Sequence, residues 1–197
     1  MKHRRYTRGK GFLEPYLANL RAKQANSLIP DNLRRGRILD IGCGTYPYFL
    51  SHTYFEEEFA IENLPNYEKV TGINFFNFDL NNTSSLPFHN EYFTAISMLA
   101  VIEHLNPNNL VLLMKECYRI LSPGGILILT TPSPWSDGLL KMMAKLSLVS
   151  KEEIQEHVFP YTLPIIGWYF GKAGFLMNKL KFGYFEIMLN MWALAQK

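Results

Sequence analysis

The glycine-rich turn that follows a short apolar strand is the feature that most constrains the fold. Residues 37–41 (Arg-Ile-Leu-Asp-Ile) have the composition of a buried strand, and they run directly into Gly42, Cys43 and Gly44. Glycine adopts backbone conformations that other residues avoid, so a turn of this kind can be tight and can approach a ligand closely. In open α/β sheets it lies at the carboxyl edge of the strands, where ligands bind. The sequence therefore predicts an α/β fold with a binding site around residues 40–44.

Strands and helices alternate along the chain, which is typical of a doubly wound sheet. Short runs rich in branched residues predict strands, and apolar residues at helical spacing predict helices. This alternation favours a mostly parallel sheet with helices on both faces. The predicted strands are 37–41, 58–62, 73–78, 94–99, 126–130, 178–182 and 187–195, and the two clearest helices are 11–28 and 108–121. In the first helix, helical spacing places Phe12, Leu13, Tyr16, Leu17 and Leu20 on one face.

Composition places the chain among globular proteins with one domain. Its 197 residues are 48% hydrophobic and 19% charged, which suffices for a core. The apolar runs are no longer than a strand, so no transmembrane helix is expected, and the first residues lack the apolar region of a secretory signal. The two cysteines show neither a disulfide framework nor metal-ligand spacing. We therefore expect a single domain over residues 1–197, located in the cytoplasm.

Positive charge is concentrated at the start of the chain. Residues 2–37 contain ten lysines and arginines against Glu14 and Asp31, whereas the remainder contains ten against fifteen acidic residues. A basic arm can meet nucleic acid, an anionic membrane surface or an acidic substrate. It carries no aromatic-interleaved motif of a nucleic-acid-binding module, so no nucleic-acid partner is expected. The favoured interpretation of residues 1–34 is a basic tail followed by a charged helix face.

Three acidic residues at the ends of successive predicted strands indicate the kind of ligand. Asp40 precedes the glycine turn, where a carboxylate would repel a pyrophosphate and attract an ammonium group. Glu62 ends the second strand twenty residues after Gly42, the spacing of a carboxylate that binds ribose hydroxyls. Asp79 closes the third strand, where it can accept a hydrogen bond from an exocyclic amine. Such a ligand fits S-adenosylmethionine better than NAD, and Pro47 stands where a dinucleotide motif has its third glycine.

These motifs resemble, in the same order, those of the class I S-adenosylmethionine-dependent methyltransferases, in particular the small-molecule branch called type 11. The resemblance covers about residues 35–135 well and the C-terminus loosely. It implies methyl transfer from S-adenosylmethionine to a small-molecule acceptor, and a seven-stranded sheet whose last strand, 187–195, is antiparallel. It rests on ILDIGCGT (38–45), FAIEN (59–63), NFDLNNTSSLPF (77–88), EYFTAISMLAVIEHL (91–105) and LSPGGILILTTPSP (121–134).

The resemblance also implies roles for single residues in cofactor binding. Asp40 and the glycine turn would surround the methionine part, the acid that ends the second strand would hold the ribose, and Asp79 would hold the adenine. Backbone groups at the end of the fourth strand would lie near the amino group. The cofactor-binding residues so implied are Asp40, Gly42, Cys43, Gly44, Glu62, Asn63, Asp79, Leu80, Met98 and Leu99.

One position departs from the family pattern. Where the family continues with a third glycine, this chain has Tyr46, followed by Pro47 and Tyr48. Three interpretations stay open: the tyrosine points away, it gates the cofactor, or it weakens the cofactor site in a non-catalytic relative. Two alternatives to an active methyltransferase therefore remain. One is a cofactor-binding relative without activity, and the other is an NAD(P) oxidoreductase, against which Asp40 and Pro47 argue.

Two histidines are candidates for the base that a hydroxyl acceptor needs. His104 follows the fourth strand and His157 lies in a segment predicted to face the cofactor, and histidine has a pKa suited to proton transfer. Each can equally be structural. Some relatives bind Mg²⁺ through Glu-x-x-Glu-His after the fourth strand. This chain has Ala100 at the first of those positions, ahead of Glu103, so no metal is expected.

The segment 131–174 is predicted to be a mostly helical insert that covers the acceptor. It contains a methionine-rich apolar helix face at 139–146 and an apolar run at 163–170 that includes Trp168. Most of this surface is expected to be core. The apolar surface that is not part of the core would line a lipophilic acceptor pocket, or it would form a homodimer contact or a membrane-facing patch. In the first case, Tyr46, His157 and the helix that contains Trp168 would wall the pocket.

Overall fold

The computed structural model describes residues 13–63, 70–80, 85–136 and 159–197, together with the single positions 68, 138, 142, 143, 145 and 149. A seven-stranded sheet forms its centre, with the strand order β3-β2-β1-β4-β5-β7-β6. Strands β1 to β5 are parallel, and β7 is antiparallel to both of its neighbours. The predicted fold class is therefore confirmed. The strands are β1 (Arg37–Ile41), β2 (Glu57–Glu62), β3 (Ile73–Asn77), β4 (Phe93–Leu99), β5 (Leu121–Pro132), β6 (Leu180–Phe185) and β7 (Asn190–Gln196).

Strand β5 is longer than its sequence pattern indicates. The run Pro-Gly-Gly at 123–125 predicts a stop between helix and strand, with the strand beginning at 126. In the structure the strand begins at Leu121 and contains this run as an irregularity. Gly124 has a φ of +79°, and the register against β4 shifts between Phe93 and Ala95. A bulge of this kind bends the strand without ending it.

Helix α1 (Glu14–Leu28) packs on one face of the sheet through small side chains. Ala22 and Ala25 are buried in a cluster with residues of β1 and β5. The apolar face identified from the sequence is not the face that packs most closely: Tyr16 is 59% exposed, Leu17 and Leu20 are only partly buried, and Phe12 lies outside the described residues. Alanine side chains let a helix backbone approach the strands more closely than leucine does, so the alanine face makes the closer contact.

The opposite face is covered by α2 (Pro107–Ile120) and α3 (Leu163–Ala173), which pack against each other. The side chain of Asn106 caps α2 by accepting a hydrogen bond from the Asn108 N–H at 3.0 Å. The residues that α2 buries are Leu110, Leu113, Met114, Cys117 and Ile120. None of the helices described is long and apolar enough to cross a membrane.

The predicted insert at 131–174 divides in the structure. Residues 131–132 complete β5, and α3 lies in the core layer beside α2, where Phe170 is fully buried. Trp168 is 52% exposed, and the Lys172 ammonium lies 5.4 Å from its ring centroid. Trp168 thus lies on the outer surface of α3, which does not fit the expected wall of a pocket. The methionine-rich face falls mostly outside the described residues.

Candidate active site

The glycine turn after β1 is held between β2 and the segment that follows β4. Gly42 and Gly44 have φ of +76° and +74°, which side chains with a Cβ rarely adopt. The Gly42 N–H donates to the Ile61 carbonyl of β2 at 2.9 Å, and a Cβ on Gly42 would lie 2.6 Å from Val101 Cγ2. A Cβ on Gly44 would meet nothing within 4 Å. The turn is therefore packed on one side and opens into space on the other.

Glu62 is buried at the carboxyl end of β2 and fixes this turn. Its Oε2 accepts a hydrogen bond from the Gly44 N–H at 2.8 Å, and its Oε1 accepts one from the Asn63 N–H at 2.9 Å. Two backbone donors on one carboxylate join the glycine turn to the end of the next strand. The sequence-predicted residues Gly44, Glu62 and Asn63 thus lie together.

Asp40 is buried in β1 beside the same turn. Its Oδ1 accepts a hydrogen bond from the Ser97 hydroxyl at 2.7 Å, and the parallel register places these two residues opposite each other. Burial raises the pKa of Asp40 to about 7, the nearby charge of Glu62 also raises it, and the bond from Ser97 opposes both. Ser97 was missed by sequence reasoning, although a serine in an otherwise apolar strand is the available signal.

Asp79 lies in the loop after β3, because that strand ends at Asn77 rather than at Asp79. The preceding residue, Phe78, donates its N–H to the Glu62 carbonyl at 3.3 Å, which brings the loop over the end of β2. Asp79 and Leu80 are half-buried there, and Leu80 packs against the main hydrophobic cluster. This contact places Asp79 in a loop that begins at the end of β2, where Glu62 lies.

The chain turns sharply at the end of β4. Met98 is fully buried, Leu99 is partly exposed, and Ala100 has a φ of +58° while its N–H donates to the Thr130 carbonyl at 3.0 Å. The side chain of Met98 belongs to the core, so only its backbone can serve a ligand. Val101 then packs against Gly42 so closely that a Cβ on that glycine would overlap the valine side chain.

A third buried carboxylate follows this turn. Glu103 lies in a short 3₁₀ turn, Ile102–His104, and its Oε2 accepts a hydrogen bond from the Thr131 hydroxyl at the end of β5, at 3.0 Å. His104, the sequence-predicted base, is half-buried in the same turn. Sequence reasoning weighed Glu103 only as a metal ligand and missed Thr131. The other predicted base, His157, lies outside the described residues.

Tyr46, the residue that departs from the glycine pattern, is buried beside the turn. Its ring centroid lies 6.5 Å from that of Tyr48 in an edge-on arrangement, and Tyr48 stacks on His52 at 4.0 Å. The chain runs through turns over residues 44–49 and then through a short 3₁₀ helix, Leu50–His52. A dinucleotide site needs a regular helix that begins at the glycine turn and points at the pyrophosphate, and turns stand in that place here.

Comparison with known proteins relates this arrangement to one family. A family model described as a methyltransferase domain matches residues 10–179. No curated protein matches the sequence.

Solved structures share the fold over almost the whole chain. A SAM-dependent methyltransferase from Archaeoglobus fulgidus has a TM-score of 0.68 at 18% identity, and the match covers 93% of this chain and 94% of that one. A protein from Thermotoga maritima, described as a SAM-dependent methyltransferase and possible histamine N-methyltransferase, has a TM-score of 0.68 at 19% identity, with 91% and 88% covered. A third, from Mesorhizobium loti, has a TM-score of 0.62 at 14% identity, with 95% and 98% covered. At these identities the likeness concerns the fold.

Proposed function

The chain belongs to the methyltransferase domain family, and we propose that it transfers a methyl group from S-adenosylmethionine to a small-molecule acceptor. The observation that carries this proposal is the convergence of three acidic residues on one glycine turn. Glu62 accepts a hydrogen bond from the turn itself, Asp40 directly precedes the turn in β1, and Asp79 follows in the loop over β2. The structures that share the fold include SAM-dependent methyltransferases, which supports the choice of cofactor.

The acceptor groups at this edge fit S-adenosylmethionine. The space above Gly44 leaves room for a ligand against the backbone, and carboxylates suit a cationic ligand that carries an amine and a diol. Asp40 and the turn, including Cys43, would hold the amino acid part. Glu62 with Asn63 would hold the ribose, and the loop at 79–80 the adenine, while backbone at 98–99 would lie near the amino group.

When bound, S-adenosylmethionine supplies a methyl group on a sulfonium centre whose positive charge disperses as the methyl group leaves. The contribution of this chain is to hold the two reactants in line and away from water. A hydroxyl acceptor must also lose a proton, and His104 is our candidate to receive it, with His157 as the second. The hydroxyl nature of the acceptor, the cytoplasmic location and a homodimer remain predictions.

Binding and turnover test the proposal separately. Calorimetric titration with S-adenosylhomocysteine and with NADH distinguishes a protein that binds the methyltransferase cofactor from an oxidoreductase. We expect S-adenosylhomocysteine to bind and NADH not to bind. Release of S-adenosylhomocysteine in the presence of an acceptor then distinguishes an active enzyme from a binding relative. Binding of NADH in preference to S-adenosylhomocysteine would contradict the proposal.

We expect Glu62→Gln to weaken the binding of S-adenosylhomocysteine about tenfold, or about 1.4 kcal/mol. The amide keeps the shape of the side chain but replaces one acceptor oxygen with a donor, which would face the N–H of Gly44 or of Asn63 and could no longer accept from a ribose hydroxyl. Calorimetry measures the change. Glu57→Gln, at the exposed start of the same strand, is the matched control and should bind like the wild type. Equal affinities in the two variants would remove Glu62 from the site.

We expect Asp79→Ala to weaken binding of the same ligand by about 0.5–1.5 kcal/mol, because the adenine amine loses its acceptor. The loss should disappear when the ligand is S-inosylhomocysteine, which lacks that amine. Asp31→Ala, on the exposed 3₁₀ turn before β1, controls for the loss of one negative charge. If Asp79→Ala weakens both ligands equally, the residue acts on the loop and not on the amine.

A further inference from the structure

The outer face of α3 carries an exposed tryptophan beside a lysine. Trp168 is 52% exposed, and the ammonium group of Lys172, one turn later, lies 5.4 Å from the centroid of its ring. The residues that the helix buries include Ile166, Tyr169 and Phe170. Residues four apart on a helix lie on one face, so Trp168 and Lys172 share the face that is turned away from the core.

The chain that follows α3 adds apolar side chains to this face. Leu176 is 64% exposed and Met177 is 66% exposed. Met177 lies directly on the helix: a Cβ on Gly171 would be 3.9 Å from its Sδ, and a Cβ on Gly167 would be 3.9 Å from its Cε. Gly167 immediately precedes Trp168 in the chain. The apolar side chains therefore form one surface on the outside of α3 and are not scattered singly.

Positive charge surrounds this surface. Residues 163–185 contain Lys172, Lys179 and Lys181 and no aspartate or glutamate. All three lysines are exposed, and none of them forms an ion pair within the part of the chain that the structure describes. The next acidic residue, Glu186, is half-buried. The surface therefore combines exposed apolar side chains with positive charge that this segment does not neutralise.

The α3 surface, which comprises Trp168, Lys172, Leu176, Met177 and Lys179, has the chemistry of a contact with a lipid bilayer. Tryptophan is enriched at the level of the lipid headgroups, because its ring is apolar and its N–H is polar. Leucine and methionine side chains that project from a protein enter the boundary between headgroups and acyl chains. Lysine places its stem on apolar groups and its ammonium among the headgroups, where anionic lipids attract it. An anionic bilayer therefore suits all of these side chains.

Two other partners fit this surface less well. In a dimer with two-fold symmetry the surface contacts itself, so Lys172 and Lys179 of one copy would be brought close to those of the other. Lysine is also depleted in interfaces between proteins, because its strongly hydrated ammonium group loses water there. A bilayer avoids both costs, since the headgroups are anionic and keep the ammonium groups hydrated.

We propose that the α3 surface binds the face of an anionic lipid bilayer. Phe182 of β6 lies beneath α3, where its Cζ would be 3.3 Å from a Cβ on Gly167, so this surface lies at the β6 edge of the sheet. β4, β5 and β7 separate β6 from β1 and its glycine turn. The glycine turn therefore takes no part in the contact, and the proposal goes beyond the proposed function and does not depend on it.

Co-sedimentation with vesicles tests the proposal. The full chain, without S-adenosylmethionine, is mixed with vesicles of phosphatidylcholine alone and with vesicles of equal parts phosphatidylcholine and phosphatidylserine. We expect the partition coefficient for the mixed vesicles to be about tenfold higher or more, because each lysine near an anionic surface contributes about 1 kcal/mol, or about fivefold. Added salt should reduce this difference, since it screens the charges.

Charge variants connect the partition to the α3 surface. Lys172→Gln/Lys179→Gln should lower the partition coefficient for the mixed vesicles about twentyfold, from about fivefold for each lysine. Lys23→Gln/Arg35→Gln removes the same charge from exposed positions on α1 and on the 3₁₀ turn before β1. This control should partition like the wild type, because charges farther from the bilayer than about 10 Å are screened.

Apolar variants test the insertion of side chains. Trp168→Ala should lower the partition coefficient about tenfold, because its ring no longer enters the interface. Tyr54→Ala, at an exposed position before β2, removes an aromatic ring elsewhere and should have no effect. If Trp168→Ala lowers the melting temperature, Leu176→Ala, at a more exposed position, should show the fall in partition without the loss of stability.

Three results of the vesicle experiments would overturn the proposal. They are equal partition into both kinds of vesicle, no partition into either, and unchanged partition of Lys172→Gln/Lys179→Gln. Light scattering without lipid tests a second copy of the chain as the occupant. A dimer that Trp168→Ala converts to a monomer would assign the α3 surface to self-association and would also overturn the proposal, whereas a monomeric wild type supports it.

Discussion

Gly42→Ala is expected to lower the free energy of unfolding by about 2–5 kcal/mol and to remove measurable binding of S-adenosylhomocysteine. Two costs add. An alanine at a φ of +76° costs about 1–2 kcal/mol, because its Cβ crowds the following carbonyl. The same Cβ would lie 2.6 Å from Val101 Cγ2, and overpacking of this kind costs about 1–3 kcal/mol. Chemical denaturation and calorimetry measure the two effects.

Two other glycines with positive φ separate these costs. Gly72→Ala, in the turn before β3, has a φ of +92° and open space around the new Cβ, so it should lose only the backbone term and keep full binding. The new Cβ in Gly44→Ala also meets open space, but that space is where the cofactor is proposed to bind. This variant should therefore lose much of its affinity for S-adenosylhomocysteine while its free energy of unfolding falls only by the backbone term.

The double variant Gly42→Ala/Val101→Ala tests the steric term. Removal of the valine methyl groups should restore part of the stability lost in Gly42→Ala, although it creates a cost of its own in the core. If all three single glycine variants lose the same stability and the same affinity, the contact between Gly42 and Val101 contributes nothing specific to stability or to binding. The assignment of Gly42 to the site would then be wrong.

The part of the site that could be predicted from sequence is the part that strand ends determine. β1 ends at Ile41 as predicted, and in a parallel sheet every strand that ends at this edge delivers its next residues to the same place. Asp40 and Glu62 are therefore placed by counting residues from buried strands. The position of Asp79 is predicted less exactly, because β3 lies at the sheet edge and is only partly buried. This strand ends at Asn77, two residues before Asp79.

The other residues of the candidate site could not be predicted, because their positions depend on contacts between segments that are distant in sequence. The bond between Asp40 and Ser97 requires the register of β1 against β4, and the bond between Thr131 and Glu103 requires the irregular start of β5. Neither register can be read from one segment alone. The buried face of α1 depends on such contacts as well. Periodicity favours the larger apolar residues, whereas close packing on the sheet selects Ala22 and Ala25.

Asp40→Asn is expected to change stability and binding in opposite directions. Burial raises the pKa of Asp40 to about 7 from its ordinary value of 3.8. Between these two values the folded protein retains a proton that the unfolded chain has released, so the wild type loses stability as pH rises from about 4 to 7. The loss amounts to as much as about 4 kcal/mol, from about 1.4 kcal/mol per pH unit. Asparagine carries no charge, so above pH 7 the variant should be the more stable protein.

Asp40→Asn should bind the cofactor more weakly than the wild type, although it is the more stable protein. The reason is that the negative charge of Asp40, which destabilises the folded protein, also attracts the ammonium group of the ligand. At pH 7.5 Asp40→Asn should bind S-adenosylhomocysteine about tenfold or more weakly, the value of a lost charged hydrogen bond. The wild type should bind more tightly as pH rises from 5.5 to 7.5, and the variant should lose that dependence. Asp31→Asn on the exposed 3₁₀ turn should change neither property. A variant that is less stable than the wild type at pH 8 would show that Asp40 is ionised by a stabilising partner, and its role in attracting the cofactor would have to be abandoned.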